Sequence, residues 1–103
     1  MYKSSRRVIP LTEEDEVVVE LGFDTPGHLA EASLDYHAFI HGEWRSVVRY
    51  DNAHGIAHVH RPWRRRRIQP LGPRTTPTAL LRLAMHDLLA NWHVYRTRLE
   101  AHL

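Results

Sequence analysis

The segment from Leu34 to Asp51, LDYHAFIHGEWRSVVRYD, constrains this chain more than any other. Apolar and polar residues alternate on both sides of His41-Gly42-Glu43, the pattern of two antiparallel strands joined by a tight turn. Two registers compete. A two-residue loop at His41-Gly42 sets Leu34 against Arg49 and Ile40 against Glu43. A three-residue loop sets Ile40 against Trp44, Ala38 against Ser46, Tyr36 against Val48 and Leu34 against Tyr50, which collects one apolar face. Side chains alternate with a period of two, so a one-residue slip would turn the whole apolar set out of a buried face. The pattern therefore predicts the three-residue loop. The opposite face carries Asp35, His37, Phe39, Arg45, Val47, Arg49 and Asp51, a polar and mostly basic surface.

Further strands flank this hairpin. Val17 to Leu21 is strand-like by its β-branched residues, and Gly22 to His28 has turn chemistry. Ile56 to Arg61 reads as a third strand of the meander, with His58 and His60 on one face and Ala57 and Val59 on the other. Pro62 stops that strand or places it at an edge, and residues 64–69 supply an edge strand at best. Residues 1–16 read as a flexible acidic lead. Its run Glu13 to Glu16 is a solvated turn or, alternatively, a segment folded back over the arginine cluster.

The last quarter changes period. Thr76 is an N-cap and Pro77 a first helical residue. Leu81, Met85, Leu88, Trp92, Tyr95 and Leu99 then recur at steps of four and three, widened by Leu80, Ala84 and Leu89 into one amphipathic stripe. The helix, placed over 76–102, is about 38 Å long if continuous from Pro77 to Ala101, against about 17–20 Å for ordinary strands. It must overhang, break or dock on another chain, which suggests a homodimer through the helix. The expected fold is α+β: an antiparallel meander of four to five strands over 17–70, with the long C-terminal helix packed on one face.

At 103 residues the chain is read as one domain. With no cysteine it has neither a disulfide framework nor a thiolate metal site. No stretch has the length of a signal peptide or a membrane span, so a soluble cytoplasmic protein is expected. The formal charge of +2 conceals an asymmetry. Residues 1–43 hold three basic and nine acidic residues, whereas residues 44–103 hold eleven basic and three acidic. A basic half of this kind suits a polyanion or an acidic protein.

Most of that charge and chemistry lies between Arg49 and Arg67, RYDNAHGIAHVHRPWRRRR. His54, His58 and His60 have spacing that a transition metal can use, with Asp51 or His37 as a further ligand, but the surrounding arginines oppose a second cation. The same residues suit metal-free acid–base chemistry. RNA cleavage by an internal 2′-hydroxyl needs a base, an acid and a cation on the developing phosphorane, and histidine and arginine supply them. The catalytic candidates are His58 and His60, supported by His54, Asp51 and His37, with no metal and no cofactor. Arg45, Arg49, Arg61, Trp63, Arg64, Arg65, Arg66 and Arg67 are the nucleic-acid-binding candidates, arginine for phosphate and tryptophan for a base. The plainer readings are a passive phosphate-binding face, a charged edge that deters sheet pairing and, for Trp63, a place in the core.

The run YHAFIHGEWRSVVRYDNAHGIAHVH resembles a set of small, mostly uncharacterised prokaryotic proteins, some of which, the TumE-like proteins, are the toxin halves of toxin–antitoxin pairs. Arg49, Tyr50, Asp51, Asn52, His54, Gly55, His58 and His60 carry the resemblance, which covers about a quarter of the chain. It implies a toxin whose partner is a helix-turn-helix antitoxin. The resulting expectation is a toxin-like, metal-independent endoribonuclease. The alternatives are a non-catalytic nucleic-acid or protein-interaction module and a histidine-based metal-binding protein.

Overall fold

In a computed structural model the chain forms one antiparallel sheet with a single long helix across it. The structure describes residues 3–25 and 27–103, with His54 described by its backbone alone. The strands are β1 (Lys3–Thr12), β2 (Asp15–Thr25), β3 (His28–Ile40), β4 (Glu43–Asp51), β5 (His58–His60) and β6 (Ile68–Pro70), and the helix is α1 (Pro77–His102). Their order in the sheet is their order in the chain. The α+β class is as expected, with six strands in place of four or five.

The additional strand is β1. Residues read as a flexible lead form a ten-residue edge strand against β2. Alternation is hard to see there because most of β1 is exposed on both faces, and only Ile9 and Leu11 reach the core. The segment Gly22 to His28 is not an extended turn either. β2 runs on to Thr25 and β3 begins at His28, with register shifts near Phe23 that absorb the glycine. The acidic run divides: Glu13 and Glu14 make the β1–β2 turn, and Asp15 is buried.

The β3–β4 hairpin combines both registers weighed above. The loop is the two-residue turn His41-Gly42, so Ile40 faces Glu43 and Phe39 faces Trp44. Farther from the tip, Tyr36 faces Val48 and Leu34 faces Tyr50, as the apolar face requires. A β-bulge at Val47, between the His37–Ser46 and Tyr36–Val48 pairs, reconciles them by adding one residue to β4. His41 and Gly42 both have positive φ, at 52° and 81°. This is the twist-matched turn in which glycine is favoured.

The helix covers β3 and β4. Thr76 caps it as expected, its hydroxyl accepting the Ala79 N–H at 3.1 Å. The buried line is turned toward Leu80, Ala84, Leu88 and Leu99, while Met85, Trp92 and Tyr95 are half-buried and Leu89 is 46% exposed. Tyr36 meets Trp92 edge-on at 6.1 Å. The helix has 26 residues and β3 has 13, so both are about 40 Å long. β1 to β4 are longer than ordinary strands, and the helix needs no second chain to match its length. Among the described residues no helix is long and apolar enough to cross a membrane.

Arg96 locks the helix to the β1–β2 turn. Its Nη1 donates to Asp15 Oδ1 at 2.8 Å and its Nη2 to the Phe39 carbonyl at 2.9 Å. Tyr36 and Thr12 donate to the same carboxylate. Burial alone would push the Asp15 carboxyl up, but the hydrogen bonds from Thr12, Tyr36 and Arg96 outweigh it and hold the group below its ordinary value. Within the acidic run Glu14 and Asp15 therefore pair with the helix and not with the arginine cluster.

Candidate functional site

The face of the sheet away from the helix carries the candidate site. Cross-strand pairing places Arg49 opposite His60 and Asp51 opposite His58. Asp35 lies on the other side of Arg49. Alternation along β4 and β5 turns all of these away from the core, while Tyr50 and Val59, opposite each other, are buried.

Asp51 is the centre, a carboxylate only 5% exposed. Its Oδ1 accepts the Ala53 N–H at 3.1 Å and its Oδ2 accepts Arg49 Nε at 2.9 Å. His58 Nε2 lies 2.8 Å from Oδ1 and His60 Nε2 3.8 Å from Oδ2. The two imidazoles are 4.7 Å apart between centroids. His58 Nδ1 donates to the Ile56 carbonyl at 2.8 Å, which fixes the ring and turns Nε2 to the carboxylate. Burial lowers the pKa of His60, and the neighbouring His58 charge lowers it further, so its neutral form is favoured at neutral pH.

The chain between β4 and β5 is shaped to hold this group. The Asn52 side chain accepts the Ala32 N–H at 2.9 Å and donates to the Ala30 carbonyl at 3.0 Å, pinning the loop to β3. Ala53–Gly55 makes a short 3₁₀ turn that ends on Gly55 at φ 85°, where a side chain would be strained. Behind the site, Tyr50 donates to Asp87 of the helix at 2.6 Å, and Tyr95 and Asn91 donate to the same carboxylate. Burial and that carboxylate push the Tyr95 hydroxyl up to about 12. Asp51 thus lies between an anchored tyrosine and an anchored asparagine.

A groove of about 550 Å³ opens over Asp51, His58 and His60 and runs past Arg49 and Ser46 toward Pro62 and Ile68. A second, of about 700 Å³, leaves Arg49 and Asp51 in the direction of Arg6 and Glu20.

The other sequence candidates fall in different places. His37 is on the same face but beyond the bulge, its Nε2 held 3.0 Å from Asp35. That hydrogen bond raises its pKa. Arg45 faces Ala38, pairs with Glu43 at 2.9 Å and donates to the Ile40 carbonyl, so it serves the hairpin tip and not the site. Arg61 and Trp63 are half-buried. Trp63 stacks on Tyr95 at 5.6 Å, which gives it the core place that was the plainer reading. Arg64 to Arg67 are exposed, in the turn between β5 and β6 and not in a strand. His54 falls in the 3₁₀ turn, and its side chain lies outside the described residues. The sequence assigned no structural role to Asn52, which entered only among the residues that carry the resemblance, or to Trp44, which alternation placed on the buried face.

Among the described residues, Asp51, His58 and His60 also form a group whose donor atoms lie within 4.8 Å of one another, the reach of a three-ligand metal site. The His58 Nδ1 bond to a carbonyl is the support such a ligand ordinarily has. Against this, Arg49 already places a cation on Oδ2.

No curated protein and no solved structure matches the chain. A family model does, over residues 3–103, and the chain belongs to that family, a domain of unknown function, DUF7718.

Proposed function

We propose that the protein acts on RNA as a metal-independent endoribonuclease of toxin type, with Asp51, His58, His60 and Arg49 as its chemistry. The observation that carries this reading is the gathering of two imidazoles and a guanidinium around one buried carboxylate, in an open groove beside an arginine-rich turn. In the proposed step the 2′-hydroxyl gives its proton to His60 Nε2 and its oxygen bonds to phosphorus. The bond from phosphorus to the 5′-oxygen breaks, and that oxygen takes the proton shared between His58 Nε2 and Asp51 Oδ1. The products are a 2′,3′-cyclic phosphate and a free 5′-hydroxyl. Arg49 is placed to neutralise the phosphorane oxygens, and Asp51 orients His58. Arg64 to Arg67 hold the strand through its phosphates.

The test is incubation of end-labelled RNA with purified protein from pH 5 to 8, with and without a chelator. Cleavage that survives chelation and falls at least about 100-fold in His60→Ala is expected. RNA left intact by folded protein across that range overturns the enzyme reading. RNA bound but uncut, with affinity falling steeply with salt, identifies a binding module instead.

The toxin reading rests on the resemblance of Arg49 to His60 to the TumE-like proteins, which extends it to a helix-turn-helix antitoxin partner. Growth arrest on expression, relieved by His60→Ala, is the outcome it requires.

The second reading is a divalent transition-metal site, favoured by the convergence of the three donor atoms. Stoichiometric zinc retained after loading and gel filtration, and lost in His58→Ala, would establish it. Metal-free protein after the same treatment removes it.

A further inference from the structure

Trp44 is 49% exposed, whereas Trp63 and Trp92 are packed against the core. It stands opposite Phe39, and the two rings lie 5.8 Å apart on the open face of the sheet. The bulge at Val47 puts it there. An even ladder from the Leu34–Tyr50 pair onward would bring Trp44 opposite Ile40, in the core beneath the helix. The extra residue turns it outward. A large aromatic side chain moved from an available core position to solvent gives up burial worth about 25 cal/mol per Å². Bulges commonly re-aim side chains beside functional sites.

The position of this pair matters as much as its exposure. Antiparallel pairing of Arg49 with His60 sends the chain after His60 back along β4, toward Val47 and Trp44. The turn bearing Arg64 to Arg67 therefore extends from the Asp51 site in the same direction as the aromatic pair. The groove over His60 runs that way too, past Ser46 to Pro62. From Asp35, opposite Arg49, to Phe39, opposite Trp44, is four residues along β3, roughly 13 Å. Asp35, the carboxylate on this path, is engaged by Ser46 at 2.6 Å and by His37 at 3.0 Å.

We infer that Phe39 and Trp44 form a stacking platform for a base of single-stranded RNA, lying along the groove from the Asp51 site with its phosphates toward Arg64–Arg67. This rests on the RNA reading and names its substrate as unpaired RNA. A duplex has its bases stacked within itself and offers no face to the platform, whereas unpaired bases are free to stack on aromatic rings.

The experiment titrates the intact protein with a single-stranded 2′-O-methyl oligonucleotide, which has no free 2′-hydroxyl to attack, and follows tryptophan emission together with affinity. Binding with quenching is expected. In Trp44→Ala the quench disappears and affinity falls about 10-fold, while Trp44→Phe keeps most of the affinity. A duplex of the same sequence binds without the quench. Circular dichroism checks that each variant is folded. Single strands that bind wild type and Trp44→Ala equally, without quenching, overturn the platform and leave the RNA reading standing. No binding of any RNA overturns both. Self-association that Trp44→Ala abolishes would assign the pair to a second copy of the chain and also overturn the proposal.

Discussion

Among the described residues Asp15 and Asp51 are the two charged ones that are buried, and they serve different ends. Asp15 is enclosed by Tyr36, Thr12 and the Arg96 guanidinium, between the sheet and the helix. Asp51 is enclosed from behind but presents His58 and His60 to an open groove. Removing the Asp15 charge leaves Arg96 without its most buried partner, so Asp15→Asn should cost about 2–3 kcal/mol at neutral pH. Its folded carboxyl lies below the ordinary value. The stabilisation is therefore present above the ordinary carboxylate range and fades as pH falls through the lowered folded value. Denaturant melts of wild type and variant should differ at pH 7 and converge toward pH 2. His37 behaves in the opposite sense. Its pKa is raised by Asp35, so its contribution is complete below the ordinary histidine value and is lost as pH rises through the raised one. A proton-detected titration should find its midpoint above 6.5, and Asp35→Asn should lower it. A His37 midpoint unmoved by Asp35→Asn would refute the pairing.

At the scale of elements, the hairpin shows what was legible and what was not. The Leu34–Tyr50 and Tyr36–Val48 pairs followed from alternation alone, and so did the shared face of Arg49, Asp51, His58 and His60, whereas Val47, expected on the open face, is buried. Turn length did not follow, because alternation was assumed to hold without a break. His41-Gly42 favours a two-residue turn through its backbone conformation, and the core favours a register that such a turn cannot give. One bulged residue satisfies both, and a bulge leaves no mark in a hydrophobic pattern. β1 was missed for a related reason: an exposed edge strand has no buried face to produce alternation. The helix was legible from its cap onward, since Thr76-Pro77 and a stripe at steps of four and three are local signals. Gly42→Ala should cost about 1–2 kcal/mol from its positive φ alone, because nothing lies within 4 Å to obstruct a methyl group. Thr76→Ala should cost about 1 kcal/mol through the lost cap. Thermal melts measure both, and neither variant should change the Asp51 group.

For the molecule as a whole, the division of labour is by face. The helix takes one side of the sheet and the candidate chemistry takes the other, so packing and function draw on alternate residues of the same strands. Substitutions on the helix side should act through stability. Leu88→Ala, at a fully buried position, should lower it by about 2–5 kcal/mol while leaving any activity per folded molecule unchanged. His60→Ala should do the reverse. A helix-side variant that abolished activity without loss of fold would contradict this separation.

The sequential strand order has a consequence for how the molecule is assembled. Every strand pairs with its chain neighbour, so each hairpin can close as soon as its second strand is available, and little entropy is lost in bringing ends together. The contact between Arg96 and Asp15 is of another kind, spanning 81 residues. It closes only after the helix has settled across a finished sheet. Disrupting it should leave the folding rate nearly unchanged and accelerate unfolding, the behaviour of a clasp and not of a nucleus.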